Sequence, residues 1–391
     1  MRIAEIASIV NERKPTSEIA DGCYVSTDNM KPNFGGVEAA TATFQGSVIE
    51  FQQSDILLSN IRPYFRKTWF ATHTGGCNAD VICIRADAEK CCPQYLYYQL
   101  TTDNFVKDYL KACKGAKMPR GDVKRLLAYD IPLPNLQEQL RIAGILGSLD
   151  EKIEINRRKI AELEALAKLI YDHWFVQFDF PDANGKPYKS SGGKMVWNEK
   201  LKREIPDRWE VKQLPEIANY LFGKPFDSSL FNDQGHGFPI VRIRNVRDGF
   251  TADSTTESAS DAFVIKNGDF LIGMDGYFDM NYWIGGNAFL VQRTCQVSAK
   301  DTIYKGFICE SLRVPIKHYE KSLTGATLAH LGKAHLDQIT ISVPPKSCSA
   351  LGALNDCISE RVARGIENIE LARLRDWLLP MLMNGQCKVT E

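Results

Sequence analysis

The chain repeats itself once: four short segments recur in the same order near the other end of the sequence. The paired segments begin at Ile3 and Leu214, Ser54 and Gly268, Asp130 and Thr340, and Leu149 and Ile358. Their separations all lie between 209 and 214 positions. Solenoid units have only about 20–50 residues, so a period this long excludes that architecture. We therefore expect two globular domains of one fold, each followed by a helix.

Length and composition agree with two or three folded domains. The chain has 391 residues, and domains typically have about 100–200. Lys and Arg number 48 and Asp and Glu also number 48, which excludes a general polycation but allows a local basic face. The 11 cysteines form no C-x-x-C pair, so we expect reduced thiols and a cytoplasmic location. Neither a signal-peptide layout nor a run of 18 apolar residues occurs, which predicts no membrane insertion.

Each copy of the repeat has the pattern of a mixed domain of strands and helices. Between 1 and 134, strands are predicted at 47–51, 55–59, 69–72 and 81–85, and a helix at 94–111. Between 205 and 344, strands are predicted at 239–243, 269–273 and 288–292, and a helix at 306–323. Prolines at 132, 134, 344 and 345 are expected to end the two domains.

A long helix is predicted after each domain. Apolar residues in 137–174 recur at alternating steps of four and three, which predicts a heptad seam in which a single Asn fixes the register. The predicted seam residues of this helix are Ile142, Leu146, Leu149, Ile153, Asn156, Ile160, Leu163 and Ile170. Those of the second helix, 347–383, are Leu354, Ile358, Val362 and Ile369. Gly365 takes the place of Asn156 there, and Pro380 is expected to interrupt the last turn. A plain amphipathic helix on a globular core is the alternative; the length and regularity of the first pattern favour the seam.

The predicted fold class is α+β: two tandem pseudo-symmetric α/β domains joined by two long helices that form an antiparallel coiled coil. The predicted boundaries are 1–134 for the first domain, 135–180 for the central helix, 181–344 for a linker and the second domain, and 345–391 for the C-terminal helix. Antiparallel pairing would return the C-terminus beside the N-terminus.

The sequence lacks familiar catalytic motifs. It contains no phosphate-binding loop, no G-x-G-x-x-G, no G-x-S-x-G, no H-E-x-x-H and no D/N-P-P-Y/F. Its closest histidines, His330 and His335, enclose no carboxylate, and structural or surface roles are favoured for all six. We therefore predict no catalytic residue, no metal site and no cofactor.

Basic clusters provide candidates for contacts with nucleic acid. They are Arg62, Arg66, Lys67, Lys114, Lys117, Arg120, Lys124, Arg242, Arg244, Asn245, Arg247 and Lys333. Lysine and arginine neutralise phosphates, whereas arginine to guanine and asparagine to adenine read bases. Any one of these residues could instead be an ordinary solvated charge, but their grouping favours DNA. Tyr64 and Tyr277, at comparable positions of the repeat, are expected to pack into a core rather than to contact bases.

Several segments resemble Type I restriction-modification specificity subunits. Residues 131–158 (IPLPNLQEQLRIAGILGSLDEKIEINRR), 174–181 (WFVQFDFP) and 191–197 (SGGKMVW) resemble the central region of that family. Residues 204–211 (EIPDRWEV) are similar to the beginning of a second target-recognition domain. Residues 60–64 and 273–276 lie where each recognition domain has a loop after a strand. The family's pattern before the second helix is reduced here to Pro344, Pro345, Lys346 and Ser347.

The resemblance implies a non-catalytic subunit that binds a bipartite target in double-stranded DNA. It also implies two modification subunits, which methylate adenine with S-adenosylmethionine, and through them ATP-dependent restriction subunits. The chemistry would then lie in the partners. Two other hypotheses stay open: a free-standing DNA-binding regulator, and a coiled-coil scaffold whose globular ends bind proteins.

Overall fold

A computed structural model describes residues 1–40, 46–113, 115, 118–323 and 329–387. The chain divides into two compact units. Unit 1 comprises Met1–Lys152 and Leu371–Glu391, and unit 2 comprises Ile153–Glu370. Each unit thus contains one copy of the sequence repeat and part of each long helix. The finer domain boundaries given above stay a prediction.

Unit 1 contains two four-stranded sheets. The first is antiparallel, in the order Ala7–Ile9, Val81–Ala86, Ile56–Ser59 and Thr68–Phe70. The second has the order Arg13–Pro15, Ser47–Phe51, Gly75–Cys77 and Tyr24–Val25, and its last pair is parallel. Because strand side chains alternate in direction, Ile56 and Leu58 enter one core while Leu57 enters another. The strand Ile56–Ser59 is therefore buried on both faces.

The helices of unit 1 differ from the prediction at one point. They span Pro93–Thr101, Asp103–Lys111 and Val123–Ala128. The single helix predicted at 94–111 was wrong, because Thr102 is extended (φ −64°, ψ 145°) and divides it in two. The Thr102 hydroxyl accepts a hydrogen bond from the Phe105 amide at 3.3 Å and so caps the second helix.

Unit 2 repeats this arrangement with extra strands. Its antiparallel four-stranded sheet has the order Ala218–Phe222, Thr294–Ala299, Phe270–Gly273 and Met280–Tyr282. A five-stranded sheet has the order Phe231–Asn232, Ser254–Thr255, Phe238–Val241, Ala288–Leu290 and Val264–Ile265. Two-stranded pairs join Met195–Asn198 to Arg203–Pro206 and Glu210–Gln213 to Thr340–Val343. The helices of this unit, apart from the long ones, are Leu214–Ile217, Ile243–Val246, Lys305–Ser322 and Lys333–Asp337. The strand predicted at 239–243 thus ends at Val241, and a short helix begins at Ile243.

The turn before the central strand is the same in both units. In unit 1 the Asp55 carboxylate accepts from the Gln52 amide at 2.7 Å, and in unit 2 Asp269 accepts from the Lys266 amide at 2.8 Å. The residue before each aspartate is left-handed, with φ 75° at Ser54 and φ 86° at Gly268. This shared turn explains why the two segments are recognisably similar in sequence.

The two long helices span Leu136–Ile170 and Ala350–Met383. A π-helical turn, Tyr171–Val176, follows the first. The predicted interruption at Pro380 was wrong: the helix continues through it to Met383. A proline removes only one backbone N–H, and burial of Leu382 and Met383 in the core of unit 1 holds the last turn in place. Among the described residues, no helix has both the length and the apolar character needed to cross a bilayer.

All twelve predicted seam residues are at least half buried. Fully buried are Ile142, Leu146, Ile153, Asn156, Leu354 and Ile358, and half-buried are Leu149, Ile160, Leu163, Ile170, Val362 and Ile369.

The helices run antiparallel, as contacts within unit 2 demonstrate. Asn156 bonds to Asn368 at 3.0 Å, and Glu164, further along the first helix, accepts from Arg361 at 2.7 Å. Residues later in the first helix therefore contact residues earlier in the second helix, which is the pattern of an antiparallel pair. Gly365, which the sequence analysis places at the position of Asn156, packs against Ile284. A Cβ added at Gly365 would lie 2.9 Å from Ile284 Cδ1.

Candidate DNA interface

Three separate segments of unit 1 meet beyond the central strand. The Asn60 amide donates to the Asp80 carbonyl at 2.8 Å, and the Arg62 amide donates to the Pro119 carbonyl at 2.8 Å. The Gly121 amide in turn donates to the Asn60 carbonyl at 3.0 Å. We call these segments, 60–62, 80 and 119–121, loop cluster 1. Their backbones hold one another, so side chains on them have fixed starting points.

Unit 2 has the same three hydrogen bonds at the equivalent positions. The Met274 amide donates to the Arg293 carbonyl at 2.9 Å, and the Gly276 amide donates to the Ala329 carbonyl at 2.9 Å. The Leu331 amide in turn donates to the Met274 carbonyl at 2.8 Å. We call segments 274–276, 293 and 329–331 loop cluster 2. The two clusters share a backbone framework while their side chains differ.

One position shows the cost of this framework. Gly276 has φ 70° and Arg62, its equivalent, has φ 48°. Glycine adopts this left-handed conformation freely, whereas for other residues it costs about 1–2 kcal/mol. Position 62 therefore keeps an arginine where glycine would be conformationally easier.

The predicted basic residues of cluster 1 and its loop have different environments. Arg62 is half-buried, and its Nε is buried without a hydrogen-bond partner among the described residues. Arg66 pairs with Asp103 at 2.8 Å, and the Lys67 ammonium donates to the Thr27 carbonyl at 2.5 Å. Arg120 pairs with Asp80 at 3.0 Å while keeping 60% of its side chain exposed. Arg62 and Arg120 are therefore brought together, since Ile61 and Arg120 form a β-bridge.

The remaining candidates of the first unit lie nearby in sequence. Lys124 is exposed in the helix Val123–Ala128, which directly follows cluster 1. Lys114 and Lys117 lie outside the described residues.

Tyr109 packs beneath cluster 1. A Cβ added at Gly121 would lie only 1.8 Å from the Tyr109 hydroxyl oxygen, so this close approach requires glycine. Burial, with a smaller contribution from the charges of Cys113 and Asp122, raises the pKa of Tyr109 well above its usual value.

Cluster 2 contains a charged group that the sequence reasoning missed. Asp275, only 11% exposed, pairs with Arg293 at 3.0 Å through one carboxylate oxygen and with His330 at 2.6 Å through the other. The equivalence becomes visible only in the backbone hydrogen bonds, where Arg293 takes the place of Asp80 and His330 that of Arg120. Lys333 is 68% exposed at the start of the helix that follows this cluster.

The basic segment at 242–247 lies beside cluster 2, because Ile243 packs against Gly273. The Arg242 guanidinium lies over the Phe231 ring, 5.4 Å from its centroid, and the Arg242 amide donates to the Asn245 side-chain oxygen at 2.9 Å. Arg244 pairs with Asp253 through two nitrogens, at 3.2 and 2.6 Å, and Arg247 is exposed. Two of the three arginines therefore have partners within the chain.

The expectation that Tyr64 and Tyr277 pack into a core was wrong. Tyr64 is 48% exposed and rests against Phe65, and Tyr277 is 78% exposed. Each follows the left-handed turn that reverses the chain after the buried strand. Both clusters thus carry an aromatic ring on the surface next to their charges.

A family comparison identifies the class of protein. The model of the family described as "Type I restriction modification DNA specificity domain" matches residues 1–165 and 206–349. The chain belongs to this family. The two matched ranges contain all the residues of loop clusters 1 and 2, so the DNA specificity domain of the family includes both.

Individual specificity subunits are more distantly similar. The chain is 26% identical to the Type I restriction enzyme MjaIX specificity subunit of Methanocaldococcus jannaschii, over 76% of this chain and 70% of that protein. It is 21% identical to the HindI specificity subunit of Haemophilus influenzae, over 86% and 87% of the two chains. The crystal structure of the S subunit from M. genitalium matches with a TM-score of 0.61 at 17% identity, covering 100% of this chain and 96% of that one.

These comparisons confirm the predicted family and the α+β fold class. The chain is a DNA-specificity subunit, a recognition component rather than an enzyme, as its family match and the names of its relatives show. Within the described ranges, no three His, Cys, Asp or Glu side chains gather in a way that could hold a metal ion.

Proposed function

We propose that this chain recognises a bipartite target in double-stranded DNA, with one half read through loop cluster 1 and the other through loop cluster 2. The repeated backbone framework with different polar side chains carries this proposal. Cluster 1 presents Arg120 with the half-buried Arg62 near it in the framework, whereas cluster 2 presents Arg293 and His330 around Asp275. Base edges are read by side chains, so frameworks that differ only in side chains are suited to different half-sites.

We further propose that the chain holds two adenine-methylating modification subunits and, through them, ATP-dependent restriction subunits. Relatives are named as specificity subunits of Type I restriction enzymes, which supports such partners. Exposed apolar side chains on the long helices also support them: Leu140, Ile155, Leu166, Leu169, Leu374 and Trp377. Apolar side chains spaced along a helix are commonly covered by a partner helix.

The test is to co-express the chain with a cognate modification subunit and to map methylated adenines on genomic DNA. A split motif with an unread spacer is the expected result. A contiguous motif would contradict the bipartite target. Sequence-specific binding without co-purification of any methyltransferase would favour a free-standing regulator, and absence of salt-dependent DNA binding would favour a protein scaffold.

A further inference from the structure

Each loop cluster contains one arginine paired with one aspartate, but the pair is built from different positions of the shared framework in the two units. In cluster 1, Arg120 Nη2 lies 3.0 Å from Asp80 Oδ1. In cluster 2, Arg293 Nη1 lies 3.0 Å from Asp275 Oδ2, and Arg293 occupies the position equivalent to Asp80. The arginine therefore comes from a different segment of the same framework in each unit.

The exposure of these pairs is unequal in a way that suits recognition. Arg120 and Arg293 are both 60% exposed, while Asp80 is 32% exposed and Asp275 only 11%. The carboxylate is sheltered and the guanidinium reaches solvent. An arginine held at one nitrogen loses less side-chain freedom when it binds, because part of that entropy is already lost.

The backbone of Arg293 adds a second, independent indication. Arg293 has φ 69°, a left-handed conformation that is unfavourable for a non-glycine residue, and its carbonyl is fixed by the Met274 amide at 2.9 Å. Asp275 is held in turn, because its other oxygen meets His330 and residues 275 and 330 form a β-bridge. The base of the Arg293 side chain and its carboxylate partner are thus both fixed.

Another pair in unit 2 shows the contrasting arrangement. Arg244 faces Asp253 with both Nε and Nη2, so one edge of its fork is filled. The ion pair of Arg293 uses one terminal nitrogen, Nη1. The fork edge formed by two nitrogens is what binds O6 and N7 of guanine in the major groove.

We propose that Arg293 reads a guanine in the half-site met by unit 2, with Asp275 as its positioning residue, and that Arg120 with Asp80 does the same for unit 1. The inference rests on the proposed function and names the residues that set its specificity. It predicts that each half-site contains at least one G·C pair whose guanine faces the arginine.

Arg293→Lys is the decisive variant, because it keeps the charge for a phosphate but removes the planar fork. The chain would be co-expressed with its modification subunit, and methylated motifs would be mapped for the wild type, Arg293→Lys, Asp275→Asn and Arg120→Lys. Lys266→Ala, an exposed lysine of unit 2, is the matched surface-charge control. Thermal unfolding of each purified complex would establish that folding is intact.

Arg293→Lys should lower the preference for guanine at one position of the unit 2 half-site by about 5- to 150-fold, leaving the other half-site unchanged. Asp275→Asn should relax the same position less, Arg120→Lys should relax a position in the other half-site, and Lys266→Ala should leave the motif intact. An unchanged motif in Arg293→Lys, or a unit 2 half-site made only of A·T pairs, overturns the inference. A motif retained by Arg293→Lys is the behaviour of a phosphate contact, because lysine keeps the charge. A wild type that yields no split motif would instead contradict the proposed function itself.

Discussion

Asn156 donates its side-chain amide to the oxygen of Asn368 over 3.0 Å, so two asparagines meet inside the helical seam of unit 2. The same amide donates to Glu367 at 2.9 Å, and Asn156 is completely buried. Its own oxygen has no hydrogen-bond partner among the described residues. A polar residue that is only partly satisfied in an apolar seam favours one register over others at some loss of stability.

We expect Asn156→Ala and Asn368→Ala to be coupled. Each change removes a buried hydrogen bond and should lower the free energy of unfolding by about 0.5–1.5 kcal/mol. A double-mutant cycle measured by urea unfolding should give an interaction energy of at least about 0.5 kcal/mol. Ser359→Ala, on an exposed part of the second helix, should combine additively with Asn156→Ala. Additive effects of the two asparagine changes would show that their contact has no energetic weight.

Gly144→Ala should stabilise the protein. Gly144 lies in the helix Leu136–Ile170, and an added Cβ meets nothing within 4 Å. Replacing glycine by alanine in a helix interior gains about 0.5–1 kcal/mol. Gly147→Ala is the matched comparison, because its Cβ would lie 2.5 Å from the Gln94 side-chain nitrogen, so it should gain less. Thermal unfolding of the two variants measures the difference, and a Gly147 variant as stable as the Gly144 variant would contradict the structure here.

Tyr109→Phe should leave stability at neutral pH equal or higher. The buried Tyr109 hydroxyl has no hydrogen-bond partner in the described part of the chain, so removing it takes away a desolvation penalty of about 1–3 kcal/mol. Burial raises the pKa of Tyr109 above its unfolded value of about 10. Deprotonation therefore favours the unfolded chain, so the free energy of unfolding is unaffected by this group below about pH 10 and falls as the pH rises further. Urea unfolding at pH 8 and pH 11 should therefore show a smaller alkaline loss in the variant. An equal loss in both proteins would mean that this tyrosine does not contribute to it.

Replacing Arg62, Arg66 and Lys67 together by alanine should weaken DNA binding and make its salt dependence shallower. The slope of log affinity against log salt should fall by about 0.9 for each phosphate contact removed. Lys67 should contribute least, because its ammonium is already bonded to Thr27. Titrations at several salt concentrations, with Lys67→Ala alone as the comparison, measure this. An unchanged slope in the triple variant would place this loop away from the DNA backbone.

The long helices are expected to set the spacing between the half-sites. The first has 35 residues, or about 52 Å at about 1.5 Å per residue, far more than the rise of about 3.4 Å per base pair. Four residues inserted between Asp150 and Asn156, and four between Asn368 and Arg375, lengthen each helix by about 6 Å. The preferred spacer should grow by one or two base pairs, with both half-sites unchanged.

Both helices must be lengthened together in that variant. Four residues are not a whole heptad, so a change in one helix alone would put the seams out of step. Methylation mapping of the assembled complex measures the spacer. A spacer that keeps its length, or half-sites that change, would refute a measuring role for the helices.

The sequence predicted the features that depend on local pattern. The long helix Leu136–Ile170 could be predicted because helical periodicity repeats over many turns. The strand Ser47–Phe51 begins and ends where it was expected. The break at Thr102 was not predicted, because threonine is tolerated inside a helix and only its extended conformation makes it a cap here.

The loop clusters could not be predicted from local pattern, because their residues are distant in sequence. Asp275 meets Arg293 and His330 only when three segments are tied together by backbone hydrogen bonds. Clusters of basic residues in the sequence suggested DNA contacts, whereas Arg293 stands alone in the sequence and was not predicted. The exposure of Tyr277 could likewise not be predicted, since a tyrosine near a buried strand is compatible with a core position or a surface position.

The different position of the paired arginine in the two clusters has a consequence for how targets diversify. The scaffold of each cluster is made by main-chain atoms, so side chains there can change without loss of its hydrogen bonds, except at Gly121, where Tyr109 leaves no room for a Cβ. The ion pair is built from Arg120 and Asp80 in one cluster and from Arg293 and Asp275 in the other, which keeps each guanidinium next to a carboxylate while placing it on a different segment of the framework. On the proposal that these arginines read bases, a few substitutions of this kind would change the preferred sequence while the main-chain framework stays the same.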